Sequence, residues 1–263
     1  TAMILDTLAD AARERTRARQ KKISFAKMRH LAESLPQKRA GCFQKALQAP
    51  GLHIIAEVKK ASPSKGLIAP FFPYETIAET YEKSGASAIS VLTEPTRFLG
   101  KDAYLEAIRR RVKVPILRKD FTVDPYMVYE ARCLGADAVL LIAALLSDRE
   151  LSEYRQMAES LGMDALVEAH DEREVTRALK SGAKILGVNN RNLKDFTVDV
   201  GNSLRLRPLV PPEIPFIAES GIHDGAAVKL LAEHGVSGVL IGELLMRSPS
   251  IEAKMKELLE AAS

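Results

Sequence analysis

Ile54-Ile55-Ala56-Glu57 is a short apolar run that ends on a charge, and the same figure returns as Ile116-Leu117-Arg118-Lys119, Ala165-Leu166-Val167-Glu168 and Phe216-Ile217-Ala218-Glu219. Strands buried on both faces read as continuous apolar runs, so a charge at the end of one must be paired or must face a solvent-reachable mouth. A second series interleaves with the first. Ser84-Gly85-Ala86, Leu134-Gly135-Ala136, Ser181-Gly182-Ala183 and His234-Gly235-Val236 each precede a further apolar run, at 88–92, 138–142, 185–188 and 238–241. Glycine just past a helix supplies the left-handed residue that ends it, and a buried strand then starts almost at once. The two series together make eight strands.

Between the runs lie stretches of helical period, among them 73–84, 148–161, 171–181 and 223–234. Strand–helix alternation implies parallel pairing with right-handed crossovers, and eight repeats in 263 residues fit one α/β chain folded as a (β/α)8 TIM barrel. A doubly wound open sheet would want a glycine-rich first turn, whereas Lys60-Ala61-Ser62-Pro63-Ser64-Lys65-Gly66 follows the first run. The expected organisation is a barrel over 49–263, as a single catalytic domain, behind an N-terminal helical extension over 1–48 that packs on the barrel and covers its mouth. Thr1-Ala2 reads as a processing remnant ahead of a native start at Met3.

Hydrophobic residues at 46% and charged ones at 27% are enough for a core of this size, and no apolar stretch is long enough to span a bilayer. Cys42 and Cys133 lie far apart without CxxC spacing, which argues against a disulfide framework or a zinc site and for a reducing, cytoplasmic setting. A net charge of +4 and the run Arg13, Arg15, Arg17, Arg19, Lys21, Lys22 raise the question of nucleic acid. Leu5, Leu8 and Ala12 make a helical apolar stripe there, and no aromatic platform accompanies the charge. The expectation is therefore the solvated face of an extra helix, with no nucleic-acid or membrane partner.

Residues two apart on a strand share a face, so Glu57 and Lys59 project together. Lys119 and Glu168, on the third and fifth strands, point into the same mouth, because alternate strands of a barrel supply the same side-chain layers. Such a set is either acid/base machinery or a salt-bridge network that neutralises the barrel end, and four charges at the catalytic end favour the former. Glu219-Ser220-Gly221-Ile222 and Ile241-Gly242-Glu243-Leu244 follow the seventh and eighth strands, where backbone N–H groups make an anion site. Read from residues alone, this is an enzyme for a small phosphorylated substrate using lysine and glutamate, with no metal or cofactor in evidence.

The segment Glu57-Val58-Lys59-Lys60-Ala61-Ser62-Pro63-Ser64-Lys65-Gly66 resembles the signature of the indole-3-glycerol-phosphate synthase family. The likeness continues through Leu92-Thr93-Glu94, Phe98-Leu99-Gly100, Leu117-Arg118-Lys119-Asp120-Phe121, Val167-Glu168, Gly187-Val188-Asn189-Asn190-Arg191-Asn192-Leu193, Glu219-Ser220-Gly221-Ile222 and Leu240-Ile241-Gly242. The resemblance implies a carboxy-lyase of tryptophan biosynthesis that closes 1-(2-carboxyphenylamino)-1-deoxyribulose 5-phosphate to indole-3-glycerol phosphate. It implies Lys119 as the main general acid, Glu168 as general base in dehydration, and Glu57 with Lys59 as a proton-handling pair. Asn189, Glu219 and Ser220 then complete the catalytic set by orienting substrate. Ser62, Phe98, Phe121, Arg191 and Leu193 bind the substrate, and Gly221, Gly242 and Glu243 its phosphate.

The division of proton transfers between Lys59 and Lys119 stays open. An ammonium acid near neutrality needs a lowered pKa, which the two lysines could impose on each other. His170 is given no role, and Leu244 replaces the small polar residue common in the family, which removes a side-chain phosphate contact. A sister phosphosugar barrel such as phosphoribosylanthranilate isomerase, or a non-catalytic basic binding protein, are the competing readings. The oligomeric state is left open, with a monomer compatible.

Overall fold

The computed structural model of the protein describes residues 4–36, 40–192 and 197–262. Eight strands carry the runs read above: β1 (His53–Val58), β2 (Ala88–Leu92), β3 (Ile116–Lys119), β4 (Ala138–Ile142), β5 (Asp164–Ala169), β6 (Leu186–Asn189), β7 (Phe216–Glu219) and β8 (Gly238–Ile241). They pair in parallel in chain order, and β8 closes the barrel on β1 with His53 opposite Gly238 and Ala56 opposite Ile241.

Helices follow the strands on the outside: α4 (Tyr74–Lys83), α5 (Asp102–Arg109), α6 (Pro125–Leu134), α7 (Asp148–Ser160), α8 (Glu172–Lys180), α9 (Gly201–Leu206), α10 (Gly225–Glu233), α11 (Glu243–Met246) and α12 (Ile251–Ala261). The side chains of Asp124, Ser147, Asp171 and Asp224 each accept a backbone N–H at a helix start, which satisfies donors the helix cannot pair itself. Gly85, Gly135, Gly182 and Gly235 all have φ between 74° and 97°, the left-handed stop expected of them.

Ile55, Leu117, Leu166 and Ile217 from the odd strands fill the barrel interior with Ala88, Leu140 and Leu240 from the even ones. The strand period of two then carries Glu57, Lys119, Glu168 and Glu219 onto the same inner faces one layer higher, at the C-terminal mouth. Four apolar positions thus register four charged ones.

The N-terminal segment forms α1 (Ile4–Gln20), α2 (Phe25–Ser34) and α3 (Cys42–Gln48), which dock in three different places. Ala9 and Ala12 of α1 pack with Val123, Met127 and Phe121 beside the mouth, while Met28 and Ala32 of α2 pack on Tyr126 and Tyr129 of α6. Phe43 and Leu47 of α3, both about fully buried, join the barrel-interior cluster and close the opposite end. Asp164 fixes α3 there by accepting the N–H groups of Phe43 and Gln44, each at 3.0 Å. Among the described residues of this segment only those of α1 line the mouth, and the expectation for the whole segment is corrected by α3, whose Phe43 and Leu47 are apolar at helical spacing.

The solvated basic stripe is corrected too. Arg17, Lys21 and Lys22 are exposed, but Arg15 lies 2.6 Å from Asp120, and Arg19 contacts Asp102 and Glu130. The reason is helical phase: Arg15 and Arg19 follow Leu5, Leu8 and Ala12 at steps of three and four, on the buried face. Among the described residues no helix is long and apolar enough to cross a membrane.

Candidate active site

The mouth of the barrel opens into a cavity of about 710 Å³. At its base Glu57 Oε2 lies 2.5 Å from Lys59 Nζ, and the Ser90 hydroxyl donates to Glu57 Oε1 at 3.4 Å. Lys119 Nζ is 3.3 Å from Glu168 Oε2 and equally 3.3 Å from Glu219 Oε2. Asn189 Nδ2 donates to Glu168 Oε1 at 3.2 Å, and its own Oδ1 accepts the N–H of Arg191. Three buried carboxyl groups and two ammonium groups are thus brought together from β1, β3, β5 and β7, with Lys59 from just past β1 and Asn189 from β6.

Burial pushes the Glu219 carboxyl up, Glu168 and Glu57 add to the rise, and Lys119 opposes it; the result is about 8. Burial thus holds the Glu219 carboxyl well above the usual carboxylate range, against the pull of the neighbouring ammonium. For Lys119, burial works to lower the pKa, but the carboxyl groups of Glu219, Glu168 and Glu57 outweigh it and the net shift is upward. The expectation of a lowered pKa at Lys119 is corrected here, because its ammonium faces the carboxyl groups of Glu168 and Glu219.

Gly242 explains why β8 ends as it does. A Cβ at this position would come within 2.6 Å of Glu57 Oε2 and 3.3 Å of Lys59 Cε, so the Glu57–Lys59 ion pair needs glycine beside it. Gly187 serves Glu219 in the same way, since a Cβ there would meet its Oε1 at 2.3 Å. That oxygen is buried with no hydrogen-bond partner among the described residues, an acceptor held ready in a low-dielectric site.

One wall of the cavity is aromatic and apolar. Phe98 and Phe121 have ring centroids 6.2 Å apart, and Leu5 and Leu8 of α1 line the same space. The loop bearing Phe98 is shaped by the buried carboxylate of Glu94, which accepts the N–H groups of Thr96, Arg97 and Phe98 at 2.8–3.0 Å. Ser62, in a two-residue hairpin where it pairs with Gly66, lines the cavity, as does Arg191. Leu193 lies outside the described residues.

At the other side Ser220, Gly221, Gly242 and Glu243 line the cavity together. Asn190 Nδ2 donates to the Ser220 carbonyl at 3.1 Å and so holds the turn that presents them. Sequence reasoning missed Lys65, Arg247 and Lys254, cations on this side. It stopped at the glycines, although basic residues on the helices after β8 were a signal. The Glu243 carboxylate faces Arg247 at 3.1 Å and Lys65 at 3.8 Å, which leaves its backbone N–H as the group suited to an anion. Leu244 packs against the main core. His170 Nδ1 bonds the Asn189 carbonyl at 2.9 Å, a structural tie in line with the absence of a role for it.

The arrangement can bind an anion on one side and a flat apolar group on the other, with acids and bases between. A sequence model described as indole-3-glycerol phosphate synthase matches residues 5–258. Indole-3-glycerol phosphate synthase of Lacticaseibacillus paracasei is 55% identical over 246 residues, covering 94% of this chain and 95% of that protein. The protein of the same name from Ruminiclostridium cellulolyticum is 52% identical over 256 residues, covering 97% and 98%. Among solved structures, 3-hexulose-6-phosphate synthase from Salmonella typhimurium aligns with a TM-score of 0.66 at 13% identity, over 80% of this chain and 98% of that one, a likeness of fold alone.

Proposed function

The chain belongs to the indole-3-glycerol phosphate synthase family, carboxy-lyases of tryptophan biosynthesis, and on that footing we propose how its mouth divides the ring closure among its side chains. The phosphate of 1-(2-carboxyphenylamino)-1-deoxyribulose 5-phosphate sits against the backbone N–H groups near Gly221, Gly242 and Glu243, with Lys65, Arg247 and Lys254 adding positive charge. The anthranilate ring lies along Phe98, Phe121 and Leu5. Arg191 and Ser62 hold its polar edge. The reaction is placed in the cytoplasm and needs no nucleic acid or membrane.

Lys119 is the general acid. As the ring carbon attacks the ribulose carbonyl carbon, Lys119 delivers a proton to the carbonyl oxygen, and the electron pair of the bond to the departing CO2 then restores ring conjugation. The developing alkoxide displaces a carboxylate from Lys119, which removes part of the influence that raises its pKa. Glu168, oriented by Asn189, takes a proton from the carbon beside the ring nitrogen as the hydroxyl on the neighbouring carbon leaves as water with a proton from the Lys59 ammonium. Glu57 and Lys59 exchange a proton at the sugar hydroxyls. Glu219 and Ser220 orient the chain, and the raised Glu219 carboxyl takes up a proton more readily than an exposed one.

The observation that carries this reading is the position of Lys119 Nζ, 3.3 Å from both Glu168 and Glu219 at the base of the cavity. Lys119→Met keeps chain length and most apolar contact but deletes the proton. Product fluorescence should show kcat falling at least about a hundredfold with a smaller change in KM, since acid/base assistance is worth about 10²–10⁴-fold. A folded Lys119→Met that keeps kcat, beside a Lys59→Met that loses it, transfers the role to Lys59.

A further inference from the structure

Beside Lys119 lies a network of three cations and three carboxylates, in which Asp120 borders the cavity and Arg15 keeps Nε and Nη1 buried without a hydrogen-bond partner among the described residues. Arg118 and Asp120 are the two chain neighbours of Lys119, and both belong to it. Arg118, 2% exposed, reaches Asp102 at 2.9 Å and Glu130 at 2.7 Å, and its Nε donates to the Thr93 hydroxyl. Thr93 in turn donates to Asp120 Oδ2 at 2.6 Å, while Asp120 Oδ1 accepts the Phe121 N–H at 2.8 Å. The remaining two cations come from α1: Arg15 meets Asp120 Oδ1 at 2.6 Å, and Arg19 spans Asp102 and Glu130. Burial would raise the Asp120 carboxyl, but Arg15 and Arg118 outweigh it and hold it below the usual range.

This network joins two parts of the catalytic mouth that otherwise meet through the packing of Ala9 and Ala12 on Phe121, Val123 and Met127. α1 supplies Leu5 and Leu8 to the cavity wall, and β3 supplies Lys119. On the reading of Lys119 given above, we propose that Arg15 and Arg19 are positioning residues: they latch α1 over the cavity and, through Asp120, Asp102 and Glu130, fix the β3 end so that Lys119 and Phe121 meet substrate in register. Arg15 does this through the carboxylate next in chain to Lys119, and Arg19 through the carboxylates that hold Arg118. A reacting group displaced by about 1 Å can lose about 10²-fold in rate, so the latch acts on kcat without touching substrate.

Steady-state kinetics on the full chain test this with Arg15→Met, Asp120→Asn, their double variant, Arg15→Lys, Arg19→Met and the exposed Arg17→Met. The expected result is a fall of about tenfold in kcat for Arg15→Met and Arg19→Met in protein still folded at the assay temperature, with Arg17→Met unchanged. Asp120→Asn should lower kcat as well, and the double variant should fall no further than the worse single one, as for partners in one contact. Arg15→Lys, which keeps the charge without the planar fork, should recover part of kcat and remains readable if Arg15→Met does not fold. Values of kcat within twofold of wild type for Arg15→Met or Arg15→Lys and for Arg19→Met, with only melting temperature lowered, overturn the proposal, as do additive losses at Arg15 and Asp120. Loss of activity in Lys119→Met beside unchanged Arg15 variants removes the latch alone; retention of kcat in Lys119→Met removes the reading on which it rests.

Discussion

At the floor of the barrel Phe43 and Leu47 of α3 share one apolar cluster with Ile55, Leu117 and Ile217, and two residues further along those strands Glu57, Lys119 and Glu219 gather at the mouth. The floor's polar group, Asp164, accepts two backbone N–H groups of α3 on its Oδ2. The mouth instead keeps a Glu219 oxygen without a hydrogen-bond partner among the described residues, a carboxyl group whose pKa burial raises and an ammonium between two carboxyl groups. A core that satisfies every polar group is stable and inert, whereas one that leaves some poised can take up a substrate's charges. The two ends also differ in what a helix of the N-terminal extension does there: α3 completes packing, and α1 completes a cavity.

The largest effect that would separate the ends is Phe43→Ala. It opens a hole in the floor and should lower unfolding free energy by about 3–5 kcal/mol in denaturant titration, while kcat of the still-folded protein stays near wild type. A large fall in kcat would mean that floor packing sets the mouth geometry. Next is Glu168→Gln, which keeps size and the Asn189 contact but loses the base. Turnover should drop about a hundredfold at the dehydration step, with a decarboxylated, still hydroxylated intermediate visible on rapid quench; accumulation of unreacted substrate alone would place Glu168 earlier.

A smaller effect concerns pH. The Glu219 carboxyl has a folded-state pKa of about 8 against an ordinary 4.5, so its contribution to stability is full below about 4.5 and is lost as pH rises through 8. The stability of wild type minus that of Glu219→Gln should therefore decline across this window, by no more than about 1.4 kcal/mol per pH unit for one proton. A flat difference would show that Lys119 cancels the burial of Glu219.

Much of the fold was legible. Runs at 88–92, 116–119, 138–142, 216–219 and 238–241 coincide with strands, and the charge closing each odd run marks the mouth, because a strand's period of two links buried Ile55, Leu117, Leu166 and Ile217 to the next inward position. Arg15 and Arg19 were legible in phase but were grouped with neighbouring charges, since composition counts a basic run and ignores which face each residue takes. Arg247 and Lys254 lay beyond the last recognised motif.

The sequence by itself determined the number and order of the strands, the helix stops at the four glycines and the inward residues of each strand, since these depend on periods of two and 3.6 and on local turn chemistry. Tertiary structure alone decided which charges meet. Arg15 and Asp120 are 105 residues apart, Lys119 and Glu168 are 49 apart, and Gly242 is glycine for the sake of Glu57 on the strand that closes the barrel. Only barrel closure and the docking of α1 set those distances, and with them the burial and charge environment that raises the Glu219 carboxyl and surrounds Lys119 with carboxyl groups.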